Sequence, residues 1–214
     1  MSNGAATRRR RSHEKIIAAA EREFLQSGFL GTNMDAVAET AGVSKQTVYA
    51  HFKSKEALFI EVVVAMTGGA ARELGEDIDA PPEAPLVQDF LLKTAIDQLT
   101  VVLTPRLMRL RRMVIGEVER FPELGRSLYE NGPAAAIGKL ERAFAHYRRI
   151  GQLVMPDPLM AATQFNWLLM GGPTSAAMLL GDLGIPKRFE LEAHAAECAR
   201  IFLCAYGAGN STGN

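Results

Sequence analysis

Cysteine and histidine are scarce, with two and four copies respectively in 214 residues. Cys198 and Cys204 lie six positions apart in an alanine-rich helical pattern. Six residues turn a helix by about 600°, so the two thiols face different ways and neither pair nor share a metal. Such usage fits a reducing cytoplasm. His194 and Cys198, four apart, with Glu190 one turn earlier, supply at most half a metal site, whereas zinc takes three or four ligands. Neither a glycine-rich phosphate loop nor a nucleophile elbow occurs. No metal, no cofactor and no catalytic residue is expected, and the chain does not read as an enzyme. A run of about 18 apolar residues is also missing, so no membrane span is expected. The start, MSNGAATRRRR, has no apolar stretch behind its arginines and is not read as a secretory leader.

Net charge is absent as well, with 24 basic and 24 acidic residues, but their distribution is uneven. Residues 1–55 hold nine Lys/Arg against five Asp/Glu, while the rest holds 15 against 19. A basic N-terminal end on a mildly acidic body suits contact with a polyanion through that end.

What is present is helical periodicity, with no convincing strand alternation. Ile16, Ile17, Ala20, Phe24 and Leu25 form one apolar stripe from Ser12 onward, and Ser27-Gly28 ends it. Similar windows run over 86–103, 107–121, 134–147, 159–180 and 191–206. The acidic, proline-rich GEDIDAPPEAP at 75–85 reads as a connection, and Asp157-Pro158 as a helix start. The expected organisation is a flexible basic arm (1–11), a small domain (12–58), a larger helical body (59–208) and a flexible tail (209–214).

The segment AGVSKQTVYAHFKSKEALF at 41–59 alternates closely between residues that must be buried and residues meant to be reached. Thr32 and Asp35 make a Thr-x-x-Asp capping box, starting a helix at Thr32 that buries Met34, Val37, Ala38 and Ala41. Gly42 stands where the chain leaves that helix. Ser44 caps the next, and Val43 can pack on Val48 as a hydrophobic staple. Two short helices joined by a tight glycine turn form a helix-turn-helix. With Val48 inward, Lys45, Gln46, Thr47 and Tyr49 project from the second helix, in the place where such helices meet base edges in the major groove. Glutamine can pair with adenine and lysine with guanine. Tyr49, His51, Lys53 and Lys55, with Thr32 and the cap Ser44, are placed for phosphate contacts, and Arg8 to Arg11 for the backbone or the minor groove.

TNMDAVAETAGVSKQTVYAHFKSKEALF resembles the DNA-binding domain of TetR-family transcriptional regulators, over about residues 12–60. The resemblance implies an all-α fold: a three-helix helix-turn-helix domain followed by a larger ligand-binding and dimerisation bundle. It places Lys45, Gln46, Thr47, Tyr49, His51 and Lys55 at double-stranded DNA. RLMRLRRMVIGEVERFPELGRSLYENGP at 106–133 is similar to the AefR-like group of TetR C-terminal domains, which implies a repressor released by a small molecule. Control by a protein partner or by abundance alone stays open as the alternative.

Two tasks then need places in the body. Leu191, Ala195, Cys198, Phe202 and Ala205 follow a heptad seam, expected to form a homodimer interface with helix 159–180 as a four-helix bundle. An internal core face is the competing reading. Thr163, Asn166, Trp167 and Met170, completed by Met108, Met113, Phe144 and Tyr147, are expected to line a mostly apolar effector pocket, with plain core packing as the alternative. Gly171-Gly172-Pro173 is expected to kink the helix. Arg109, Arg111 and Arg112 fit either an anionic ligand or pairing with Glu117 and Glu119. Helix 55–74 is the expected lever between the domains.

Overall fold

The computed structural model describes residues 3–73 and 86–210, with side chains at 6–68 and 86–209. The expected connection at 75–85 and residues 211–214 of the tail lie outside the described residues. Ten α-helices account for most of them: α1 Asn3–Gly31, α2 Met34–Ala41, α3 Lys45–His51, α4 Lys55–Glu73, α5 Val87–Val102, α6 Pro105–Glu117, α7 Pro122–Tyr129, α8 Ala135–Arg149, α9 Pro158–Leu180 and α10 Arg188–Tyr206. Strand pairing among the described residues is limited to one bridge, Leu153 to Gly207. No helix among them is long and apolar enough to cross a membrane.

The chain divides into two compact units: Met1–Gly68 with Arg109–Tyr129, and Gly69–Met108 with Glu130–Asn214. The expected boundary at residue 58 is therefore corrected. Most of α4 and the α6–α7 segment belong with the N-terminal helices. In this first unit Ile16, Ala20 and Phe24 of α1, Val37 of α2, Val48 of α3 and Leu58, Phe59 and Val62 of α4 are all buried, as are Leu110, Val114 and Leu124. Phe59 stacks within 4.6 Å of Phe24 and 5.2 Å of Phe29, and Phe121 meets Phe29 edge-on at 5.1 Å. The window expected to run to Phe121 ends instead at Glu117. Pro122 opens a separate helix, α7, as proline favours a first helical turn.

The basic arm is not a flexible tail: α1 begins at Asn3 and carries Arg8 to Arg11 in helical register. Arginine and alanine are good helix formers, and Arg10 pairs with Glu14 one turn on, at 3.7 Å. Helical backbone breaks at Gly28, with φ 73° and ψ 173°, where the sequence placed the stop.

In the second unit α5, α8, α9 and α10 enclose a core containing Leu91, Leu99, Met108, Phe144, Tyr147, Phe165, Leu169 and Phe202. Helix α9 continues through Gly171-Gly172-Pro173 without leaving helical backbone. Pro173 has no N–H for the Leu169 carbonyl four residues earlier. That oxygen is met from α10 by His194 Nε2 at 2.8 Å, and a carbonyl only accepts, so Nε2 carries the hydrogen. His194, read from sequence as half of a weak metal motif, thus replaces a missing helix bond. Cys198 lies beside it, its Sγ 3.5 Å from Nε2, and burial pushes its thiol up to about 11. His194→Ala is expected to cost about 1–3 kcal/mol by orphaning a buried carbonyl. The cost should shrink in a Pro173→Ala background, where the helix supplies its own N–H. Urea unfolding of the four proteins of that cycle gives the coupling, and strict additivity would refute the account.

Candidate nucleic-acid interface

Helix α2 is held at both ends. Asn33, not Thr32, is its N-cap: Asn33 Oδ1 accepts from the N–H groups of Asp35 and Ala36 at 3.0 and 2.8 Å. Asparagine caps better than threonine. The Thr32 hydroxyl instead donates to the Gly28 carbonyl at 2.8 Å, and the residue is buried. Thr32 is therefore withdrawn as an outward DNA contact, because its hydroxyl closes the turn after the Gly28 break. At the other end Gly42 adopts φ 64°, with Gly42 N–H on Glu39 O and Val43 N–H on Ala38 O. This is the Schellman ending, and the left-handed position suits glycine.

The turn delivers α3 in a fixed orientation. Ser44 Oγ accepts from Thr47 N–H at 3.1 Å, as an N-cap should. Val48 is the buried residue of α3, whereas Lys45, Gln46 and Tyr49 are exposed. Lys45 Nζ lies 2.7 and 2.9 Å from the two carboxylate oxygens of Asp35, a pairing that raises its pKa. An acid on α2 thus directs the leading cation of α3, a partnership that sequence spacing did not reveal.

Two expected phosphate contacts also have partners within the chain. Lys55 is turned back: its Nζ donates to Thr32 O at 3.0 Å and Leu30 O at 3.4 Å, and lies 4.7 Å over the Phe29 ring. Backbone carbonyls left over beyond the Gly28 break attract a cation. Lys55 therefore ties α4 to the α1–α2 turn. His51, half-buried, has Nε2 2.7 Å from Ser12 Oγ, and its ring meets His13 at 5.7 Å. Burial first, then His13 and Arg9, push its pKa below the ordinary value.

The second unit redistributes the expected effector and dimer residues. Leu191, Ala195, Cys198 and Phe202 are buried within one chain, so the heptad seam is a core face and not a subunit interface. Aromatic packing decides it: Phe202 lies 4.7 Å from Phe144, 5.1 Å from Phe165 and 4.9 Å from Tyr206. Ala205 is exposed. Of the expected pocket residues, Met108, Phe144, Tyr147, Asn166 and Met170 share that core. Asn166 Oδ1 accepts from Gln98 Nε2 at 2.8 Å, a fully buried amide pair whose α5 member the sequence did not point to. Thr163 spends its hydroxyl on the Leu159 carbonyl at 2.8 Å. Met113 belongs to the first unit, whereas the other seven expected pocket residues belong to the second. Trp167 faces outward, 45% exposed, and is corrected from pocket wall to surface. Its helical register places it opposite Phe165 and Leu169. An open groove of about 400 Å³ lies along α5 and α10, lined by Gln88, Leu92, Ala196, Arg200 and Cys204 among others, and by none of the eight expected pocket residues.

Comparison with known proteins agrees with this architecture. Residues 16–62 match the bacterial regulatory proteins of the tetR family, and residues 89–208 match the AefR-like transcriptional repressor C-terminal domain. A solved structure from Mesorhizobium loti, assigned to the TetR family, is 32% identical with a TM-score of 0.82, over 94% of this chain and 98% of that one. The flavonoid-responsive regulator FrrA is 33% identical with a TM-score of 0.74, over 92% of this chain and 97% of its own. Among curated relatives, YerO of Bacillus subtilis is 36% identical over 72 residues, 32% of this chain and 25% of that protein. RutR of Escherichia coli is 50% identical over 48 residues, 22% of this chain and 23% of its own. The chain thus spans only about a quarter of the length of these curated relatives. A capped helix-turn-helix on an all-α scaffold, matched by both parts of one family, identifies the chain as a member of the TetR family and a DNA-binding transcriptional regulator.

Proposed function

We propose that the protein is a cytoplasmic homodimeric repressor of a palindromic operator, released by a small, mostly apolar effector. The observation that carries the DNA-binding part is the register of α3. Val48 anchors it, and Lys45, Gln46, Thr47 and Tyr49 occupy its free turns, with Ser44 at the start. Gln46 is assigned to base reading, and Tyr49 and His51 to the phosphate backbone beside it, with Arg8 to Arg11 adding charge along α1.

A palindrome requires two copies, and the outer face of α9 suits that task. Met160, Trp167, Leu168 and Leu179 are exposed apolar residues, interspersed with Gly171 and Ser175, whose small size permits close helix approach. Ile201 adds an exposed apolar residue on α10. The helices expected for dimerisation are retained, with the opposite face in use.

The effector reading rests on the Gln98–Asn166 pair, whose amides sit in an aromatic-rich core. An uncharged, flat ligand that exchanges hydrogen bonds with those amides would fit it, because buried polar groups need replacement partners. The name of FrrA supports an aromatic effector of flavonoid type. A ligand shifts the operator-bound state only by its preference for one conformation.

Selection of bound duplexes from a random pool, at a stated salt concentration, tests the reading. One enriched palindrome is expected, followed by release on adding flavonoids. Gln46→Ala should relax preference at one position by about 1–3 kcal/mol, while Tyr49→Ala weakens all sequences alike. Enrichment without symmetry would refute the dimeric operator. Unchanged base preference in Gln46→Ala would remove Gln46 from the reading face.

A further inference from the structure

Ser12 belongs to none of the contacts assigned above, yet its hydroxyl rests on the ring of one that does. Ser12 Oγ lies 2.9 Å from the Arg9 carbonyl oxygen and 2.7 Å from His51 Nε2. The carbonyl only accepts, so the single Ser12 hydrogen goes to Arg9. Ser12 then offers His51 lone pairs alone, and the hydrogen between them belongs to Nε2. In a neutral imidazole that leaves Nδ1 as a bare acceptor, unable to donate to a phosphate oxygen.

We propose that Ser12 holds His51 in the Nε2–H tautomer, so that His51 bonds a DNA phosphate only as imidazolium and operator binding takes up one proton per protomer. The inference rests on the assignment of His51 to the DNA backbone. Ser12 is then a positioning residue that converts a phosphate contact into a proton-linked one.

The surroundings of the ring set the direction. Arg9 and His13 of α1 are the charged and titratable groups acting on it; Phe52 packs at 6.0 Å between ring centroids. Burial and these two neighbours keep the free ring neutral near pH 7. Phosphates favour the cation and raise the value in the complex. The stabilisation of the complex is therefore full below the free protein's lowered value, and it is lost as pH rises through the raised value of the complex.

The test is operator affinity from about pH 5.5 to 8 at fixed ionic strength, for wild type, His51→Gln, His13→Gln and Ser12→Ala. Wild-type affinity should weaken with rising pH by up to about tenfold per pH unit per protomer beyond the residual slope of His51→Gln. His13→Gln should keep that dependence. Ser12→Ala frees the tautomer, lets a neutral Nδ1–H donate, and should flatten the dependence without loss of affinity near pH 8. Nitrogen NMR of the histidine rings in the free protein should report Nε2–H at His51. An Nδ1–H ring, or equal slopes in wild type and His51→Gln, overturns the proposal. A His51→Gln variant that binds as wild type at every pH, with the ring still Nε2–H, overturns it by removing His51 from the DNA, and thermal melts show whether each variant is folded.

Discussion

The double substitution Trp167→Glu with Leu168→Glu is expected to leave a folded monomer whose operator affinity is lower by about a hundredfold or more. Both side chains are solvent-facing in the isolated chain, 45% and 39% exposed, while Phe165 and Leu169, on the inner side of α9, are fully buried. Charges placed there meet water in the monomer and cost the fold little, but they would be desolvated without partners in a dimer. Each monomer retains one reading helix. What it loses is the second half-site contact, which tethering makes intramolecular and which contributes roughly 10²–10⁴ in affinity. Light scattering gives the mass, and binding to a duplex with one half-site gives the affinity that should stay unchanged. A persistent dimer would place the interface elsewhere.

Phe202→Ala is the second large effect, and it acts on a different quantity. Phe202 is 3% exposed and touches three other rings, so its removal leaves a cavity in the second unit. Loss of a core phenylalanine costs about 3–5 kcal/mol. At about 2–4 °C per kcal/mol for a chain of this size, Tm should fall by roughly 6–20 °C. Below that temperature the variant should remain dimeric and bind its operator. A change in dimerisation without a change in protomer stability would restore the heptad seam as the subunit interface. The two experiments thus assign opposite faces of adjacent helices.

The positions of the helices in this protein were legible because periodicity, caps and breakers act locally. Gly28 and Gly42 end helices where the chain needs backbone that other residues resist, and Ser44 and Asp157 begin helices with side chains that bond their first N–H groups. The same locality made Val48 an anchor and left Lys45, Gln46 and Tyr49 outward, so the exposed face of α3 followed from a few adjacent residues. Even the error at Thr32 was local: Asn33 was the better cap, and the Gly28 carbonyl had a claim on the threonine hydroxyl.

What the sequence by itself determined was therefore the element order, the all-α class and the residues facing away from Val48. Tertiary structure decided which of two apolar faces on α9 and α10 is internal, because a heptad seam of small and aromatic residues packs equally well against its own chain or another. It also decided the fate of the polar side chains with distant partners: Lys55 with the Thr32 carbonyl, His194 with the carbonyl that Pro173 leaves open, Asn166 with Gln98, and His51 with Ser12. Such bonds join residues 23 to 68 positions apart. A hydrogen bond depends on a distance of about 3 Å in space, and local spacing along the chain carries no record of it.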